Sequence, residues 1–380
     1  RCIWREYKNY KNYLYAISDD GSPNSFQIID MSFLPDSVHV VYDGTSLFER
    51  GHTLFIDGNN LYVGSVTEDA NHGHYYSMAV YSLADPENPV LLRTLNQDDA
   101  SIKQVHDMLV RNDTVYASCG NQGLFIYLFD QTANKFSPVS SIEFYPDKGY
   151  NHSSALTPDG HTLVFCDEIP KGLAVKIADV SDLHNISIDT TFRSAKGPTP
   201  HNPYIKDKNY VIIAYYQDGL QIFDISNPKS PVRTGYFDTD TIDGIANDYN
   251  PTGTAYHGNW GAYIHLPSGR ILASDMQNGL YILDASSALN VSNHTQDVPS
   301  LLVYPNPAEY LVSLQFHLKK ASLLKLEILD MTGRKLFHKE INEPAGDIKQ
   351  TISMEAFDKG MYLIQLSSMD FSYSSKLIKK

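Results

Sequence analysis

Short apolar runs, each closed by a polar turn, recur along most of the chain. The strings SFQIIDMSFLP (25–35), MAVYSLADPENPV (78–90), GLFIYLFD (123–130), GLAVKIADVSDL (172–183), GLQIFDISNPKSPV (219–232) and GLYILDASSAL (279–289) share one plan, an apolar strand followed by a turn rich in Asp, Ser, Asn or Pro. Runs of this length between turn formers predict strands, and no long segment has the three- and four-residue apolar spacing of a helix. A second strand precedes each copy: YLYAISDD, LYVGSVTE, VYASCGNQ, LVFCDE, YVIIAYYQD and ILASDMQ.

Aligned on that second strand, the six units share a third position, occupied by Trp4, His52, His106, His152, His201 and Trp260. The column is spaced by 48, 54, 46, 49 and 59 residues, close to the length of a four-stranded sheet with its turns. One such sheet cannot bury both of its faces, so the repeat predicts radial stacking of six sheets. The expected fold is all-β: a six-bladed β-propeller over 1–290, a polar linker at 291–300, and a small immunoglobulin-like β-sandwich over 301–380. The first and last copies are where the ring must close.

Composition agrees with strands joined by turns: 26 tyrosines and only 19% charged residues. No stretch approaches the roughly 20 apolar residues of a membrane-spanning helix, so no membrane span is expected. Residues 299–380 hold 11 of the 30 Lys+Arg and 9 of the 44 Asp+Glu, which leaves residues 1–298 with 19 against 35, a net of −16. So acidic a domain is a poor partner for nucleic acid. The three cysteines, Cys2, Cys119 and Cys166, have no disulfide-framework or zinc-knuckle spacing and read as small buried apolar residues. A phosphate loop, a dinucleotide fingerprint, an EF-hand loop and a G-x-S-x-G elbow are all missing from the sequence, and the serines of NHSS (151–154) have no evident base. The Asp-rich FDTDTIDGIANDYN (237–250) reads as a polar loop, with a calcium-holding loop as the alternative.

The strings QIIDMS, QIFDISNPKSPV with GYFDT (235–239), PHNPYI (200–205), NHSSALTPDGHTLVFCDE (151–168) and NWGAYIHLPSGRILASDMQNGLYILD (259–284) resemble the LVIVD-repeat propellers, in particular the bacterial surface proteins of the choice-of-anchor B type. VYSLAD and FIYLFD depart from the pattern at their turns. That resemblance implies a cell-surface propeller and brings no defined activity with it. Past the linker, YPNPA, ILDMTGRKL, KGMYLIQL and a basic end resemble, in order, the C-terminal sorting domain of the type IX secretion system. It implies the type IX secretion machinery as a partner and a destination outside, or on the outer-membrane surface of, a Bacteroidetes-type bacterium.

In a propeller the innermost strands line a central channel, so the column Trp4, His52, His106, His152, His201 and Trp260 is expected at one channel mouth as a binding site. His106, Asp107, His152, Glu168 and His201 are the candidate ligands of a divalent metal ion, zinc or calcium. The alternative is that each histidine only hydrogen-bonds a neighbouring strand, while the tryptophans pack the closing seam or stack on a sugar. Two functions follow: a surface module binding an extracellular glycan or protein, or a metal-dependent hydrolase or lyase built on the histidines.

Overall fold

The computed structural model describes residues 5–20, 26–69, 73–240, 256–289, 301–318, 320–330, 334–368 and 372–380. It separates into two compact units, Arg1–Leu289 and Asn290–Lys380. Trp4, Cys2 and positions 241–250 of the Asp-rich segment lie outside the described residues.

The first unit is a succession of antiparallel sheets, each built from strands adjacent in sequence. They are β1 (Arg5–Tyr10), β2 (Tyr13–Ser18), β3 (Phe26–Asp30) and β4 (His39–Gly44), then β5 (Thr53–Asp57), β6 (Asn60–Asp69), β7 (His74–Ser82) and β8 (Val90–Thr94). The third and fourth sheets are β9 (Asp107–Arg111), β10 (Thr114–Ser118), β11 (Leu124–Asp130) and β12 (Lys135–Ile142), and β13 (Asn151–Leu156), β14 (Thr162–Asp167), β15 (Val175–Asp179) and β16 (Ser187–Phe192). The fifth is β17 (Asn202–Lys206), β18 (Tyr210–Ala214), β19 (Leu220–Asp224) and β20 (Val232–Phe237), and the sixth has three described strands, β21 (Asn259–Tyr263), β22 (Ile271–Asp275) and β23 (Gly279–Leu283).

Two repeated local devices explain the repeated sequence. Asp30, Asp179, Asp224 and Asp284 each accept the backbone N–H two residues on through Oδ1, so the Asp-x-Ser endings are Asx turns that stop the third strand. In the two departing copies Ser82 Oγ and Asp130 Oδ1 do the same work toward Ala84 and Thr132. The third and fourth strands of all five four-stranded sheets of the first unit also share a register irregularity in the same place, at Ile28/Ile29, Val80/Tyr81, Ile126/Tyr127, Ile177/Ala178 and Ile222/Phe223. A bulge there bends and twists each outer edge.

The period-two alternation of side chains divides each inner strand between two cores. In β14, Leu163 and Phe165 join Leu124 and Ile126 of the third sheet, whereas Val164 and Cys166 join Val211 and Ile213 of the fifth. Apolar clusters of this kind fill every interval from the first sheet to the sixth. Among the described residues none joins the sixth sheet to the first. There Leu280 and Ile282 stand 62% and 63% exposed, against nearly zero for their counterparts Leu220 and Ile222 in β19. Cys119 and Cys166 are free thiols buried in these cores.

The second unit is a sandwich of a three-stranded and a four-stranded antiparallel sheet. The strand Leu311–Leu318 sends Val312, Leu314, Phe316 and Leu318 inward to meet Leu324, Leu326 and Ile328 from Ser322–Asp330 and Ile364 and Leu366 from Gly360–Ser367. Asn306 of the YPNPA string explains why that string and the basic end occur together: its amide donates to the Lys376 carbonyl (2.7 Å) and its oxygen accepts from Ile378 N–H (2.9 Å). No described helix is long and apolar enough to cross a membrane.

Candidate functional site at the channel mouth

The first strands of successive sheets, β1, β5, β9, β13, β17 and β21, lie side by side around a cavity of about 680 Å³. Just before or within these strands sit the column residues. His52, His106, His152, His201 and Trp260 stack as a tilted file, with ring centroids 4.1, 4.3, 4.3 and 4.5 Å apart. Two of them are aimed by bulges: in β13 the pairing passes from Asn151 to Ser153, and in β21 from Asn259 to Gly261. His152 and Trp260 are therefore the extra, unpaired residues, and a bulge redirects the side chain it carries.

The file is fixed by backbone hydrogen bonds across sheets. His106 Nδ1–H donates to the His152 carbonyl (3.2 Å), and His201 Nδ1–H donates to the Trp260 carbonyl (2.5 Å). A neutral imidazole that donates through Nδ1 keeps its lone pair on Nε2. Ser153 Oγ donates to the His201 carbonyl at 2.5 Å, and His152 Nδ1 is buried without a hydrogen-bond partner. Burial and the neighbouring imidazoles push His106 and His152 well below the ordinary histidine range, and burial takes His201 down to about 3. His52 differs. Desolvation opposes its charge, but the Asp19 carboxylate hydrogen-bonded to Nδ1 outweighs it and raises its pKa.

Glu168 follows Asp167, and Asp167 is the hub that places it. The Asp167 carboxylate, wholly buried, accepts from Lys176 Nζ (2.7 Å), Gly149 N–H (3.0 Å), Tyr145 Oη (3.0 Å) and Asn151 Nδ2 (3.1 Å). One end of this network is Asn151, next to His152; the other is Glu168 itself. Tyr216 Oη donates to Glu168 Oε1 (2.6 Å), while Oε2 stands 3.9 Å from His152 Nε2. Desolvation raises the Glu168 pKa against the opposing pull of Tyr216 and His52. One ring nitrogen of His106, one of His152 and one carboxylate oxygen of Glu168 all lie within 4.8 Å of one another.

Asp107 belongs to a different group. It faces Thr53, whose Oγ1 is 3.0 Å from Asp107 Oδ1 and 2.5 Å from Glu6 Oε2, with Lys8 Nζ 2.8 Å from Glu6 Oε1. Asp107 Oδ1 also accepts the Met108 N–H at 2.7 Å. Desolvation, with Glu6 beside it, pushes the Asp107 carboxyl up to about 6. The structure thus brings His106, His152 and Glu168 together, puts His201 next in the file, and sets Asp107 with Glu6, Thr53 and Lys8. Sequence reasoning passed over Tyr216 and Asp19. The available signal was position, since Asp19, Glu168 and Tyr216 all occupy the polar tails of the aligned second strands.

The C-terminal unit has a match by sequence. Residues 302–380 match the secretion system C-terminal sorting domain. A sorting domain of this kind implies interaction with the type IX secretion machinery. No curated protein matches the chain by sequence. Among solved structures, the periplasmic gluconolactonase PpgL of Pseudomonas aeruginosa aligns at TM-score 0.53 and 8% identity over 90% of this chain and 85% of its own. A Lactobacillus plantarum protein aligns at TM-score 0.51 and 10% identity, covering 90% and 86%. At these identities the likeness is one of fold, and the fold is propeller-like and all-β. PorZ of Porphyromonas gingivalis, an essential surface component of the type IX secretion system, aligns at TM-score 0.47 and 11% identity over 99% of this chain, which spans 59% of PorZ.

Proposed function

We propose that the chain is a surface-displayed binding module: a six-bladed propeller of the LVIVD-repeat, choice-of-anchor B type, carried to the outer-membrane surface of a Bacteroidetes-type bacterium by an immunoglobulin-like sorting domain. The ligand is an uncharged glycan, taken at the channel mouth. The observation that carries this reading is the lining of the 680 Å³ cavity, which includes Asp19, Gln104, Glu168 and Asn202 together with half-buried Trp260 and exposed Tyr263. Concave sites with a few convergent polar groups among aromatic faces suit small ligands, and carboxylates with amides match sugar hydroxyls while aromatic faces cover the pyranose ring. The net of −16 on residues 1–298 disfavours polyanions.

A glycan array probed with the full chain tests the reading. Retention of neutral oligosaccharides by the wild type and its loss in Trp260→Ala support it; no retained glycan, or equal retention by the variant, overturns it. One observation favours a second reading, extracellular hydrolase or lyase chemistry: His106, His152 and Glu168 form a three-donor cluster facing the cavity. It requires that glycans retained on the array be cleaved in solution.

A further inference from the structure

We propose that His106, His152 and Glu168 hold one divalent ion of the zinc class, with a coordination position open to the channel mouth. The donors are a carboxylate oxygen and two ring nitrogens within 4.8 Å of one another. Tetrahedral zinc with bonds of about 2.0–2.1 Å needs donors roughly 3.4 Å apart, so closing the cluster takes side-chain shifts of about an ångström. Two imidazoles with one carboxylate suit zinc; calcium takes six to eight oxygens, and one carboxylate among imidazoles does not supply them.

The surroundings are those that orient metal ligands. A ligating histidine characteristically gives its other N–H to a carbonyl, as His106 Nδ1 does to His152, and a ligating carboxylate is itself hydrogen-bonded, as Glu168 Oε1 is by Tyr216. His152 is 4% exposed, and the ring nitrogen it turns toward Glu168 Oε2 is Nε2, at 3.9 Å. Three protein donors leave the fourth position to a water or a ligand oxygen, which is the arrangement of zinc sites that act on ligands rather than hold a fold together. This deepens the mouth-binding reading by giving a sugar hydroxyl an anchor, yet metal content decides it independently.

The full chain, grown with zinc and purified without chelator, is analysed by plasma mass spectrometry, then stripped and titrated with cobalt(II) while the visible ligand-field bands are recorded. The expected result is about one zinc per chain and saturable four-coordinate cobalt bands. Both are lost in His106→Ala/His152→Ala and in Glu168→Gln and are retained in His184→Ala. Tyr216→Phe, a positioning change, weakens cobalt binding about tenfold or more while leaving the stoichiometry at one. Tryptophan fluorescence and circular dichroism confirm that each variant is folded. A wild type with neither zinc nor cobalt bands, or folded ligand variants that bind as the wild type does, overturns the proposal. Glycan binding by the loaded and stripped preparations is read separately, so loss of the metal claim and loss of the glycan claim are distinguishable.

Discussion

Replacing Lys176 by Met removes one charge from the best-buried ion pair among the described residues of the first unit and tests how the site is held. Lys176 and Asp167 have no exposed side-chain surface and meet at 2.7 Å; Lys176 Nζ also donates to the Asp147 carbonyl (2.8 Å) and lies 5.5 Å from the centre of the Tyr145 ring. Met keeps most of the aliphatic stem, so little packing is lost. The Asp167 carboxylate is left with three neutral donors, Tyr145, Gly149 and Asn151, and no countercharge. Breaking a buried pair from one side costs about 3–5 kcal/mol; the three remaining donors place this case near the lower end, about 3 kcal/mol. Both tryptophans of the chain lie in the first unit, so their fluorescence in urea follows the unfolding of that unit alone. With a slope of about 3 kcal/mol/M for a domain of this size, the midpoint falls by about 1 M. Lys229→Ala, at a largely exposed lysine 3.9 Å from Asp189, is the control and costs under about 1 kcal/mol. A Lys176→Met midpoint within 0.3 M of wild type (roughly 1 kcal/mol) at unchanged slope would refute the hub as the anchor of the His152 and Glu168 positions.

Three further outcomes are expected. Burial opposes charge on Asp98, but Arg93, 3.0 and 2.5 Å away in a bidentate pair, and the Phe136 N–H at 2.8 Å outweigh it and lower its pKa. The stabilisation is therefore complete above about pH 4 and lost as pH falls through the lowered value. Asp98→Asn should cost about 1.5–3 kcal/mol at pH 7 and nearly nothing in strong acid, read from urea midpoints at both pH values; a pH-independent difference would count against the ion pair. Gly258 has φ +98°, and a Cβ there would stand 2.4 Å from the Tyr216 carbonyl, so Gly258→Ala should cost about 2–3 kcal/mol and alter the Trp260 emission, whereas wild-type stability and emission would remove the close approach from the account. Ile364→Asp, in the core of the C-terminal sandwich, should unfold that unit and abolish export from a type IX-competent host while leaving the tryptophan-monitored transition in place; normal export of this variant would separate sorting from the folded unit.

The sheets were legible in the sequence because each repeats one chemical solution. The Asp-x-Ser endings are Asx turns, and even where VYSLAD and FIYLFD depart from them, Ser82 and Asp130 supply the same side-chain acceptor. The histidine column was legible for the same reason, as one position per repeat. Its division was not. Asp107 follows His106 in sequence, but consecutive strand residues point to opposite sides, and Asp107 ends at Thr53 and Glu6. The bulges that aim His152 and Trp260 carry no sequence signal beyond an unremarkable Asn-x-Ser or Asn-x-Gly, and the tie from Glu168 to Tyr216 spans 48 residues. The exposure of Leu280 and Ile282 was equally hidden, because their string GLYILD matches the buried GLQIFD of the fifth sheet.

The most direct test of the mouth as the functional site is the fluorescence of Trp260 while an array-selected neutral oligosaccharide is titrated into the full chain, with Trp260→Phe as the blank. The account predicts a saturable change in emission that disappears in the blank and is weakened in Glu168→Gln. An oligosaccharide that binds with unchanged affinity in both variants and leaves the Trp260 emission unaltered would put the binding surface elsewhere on the molecule.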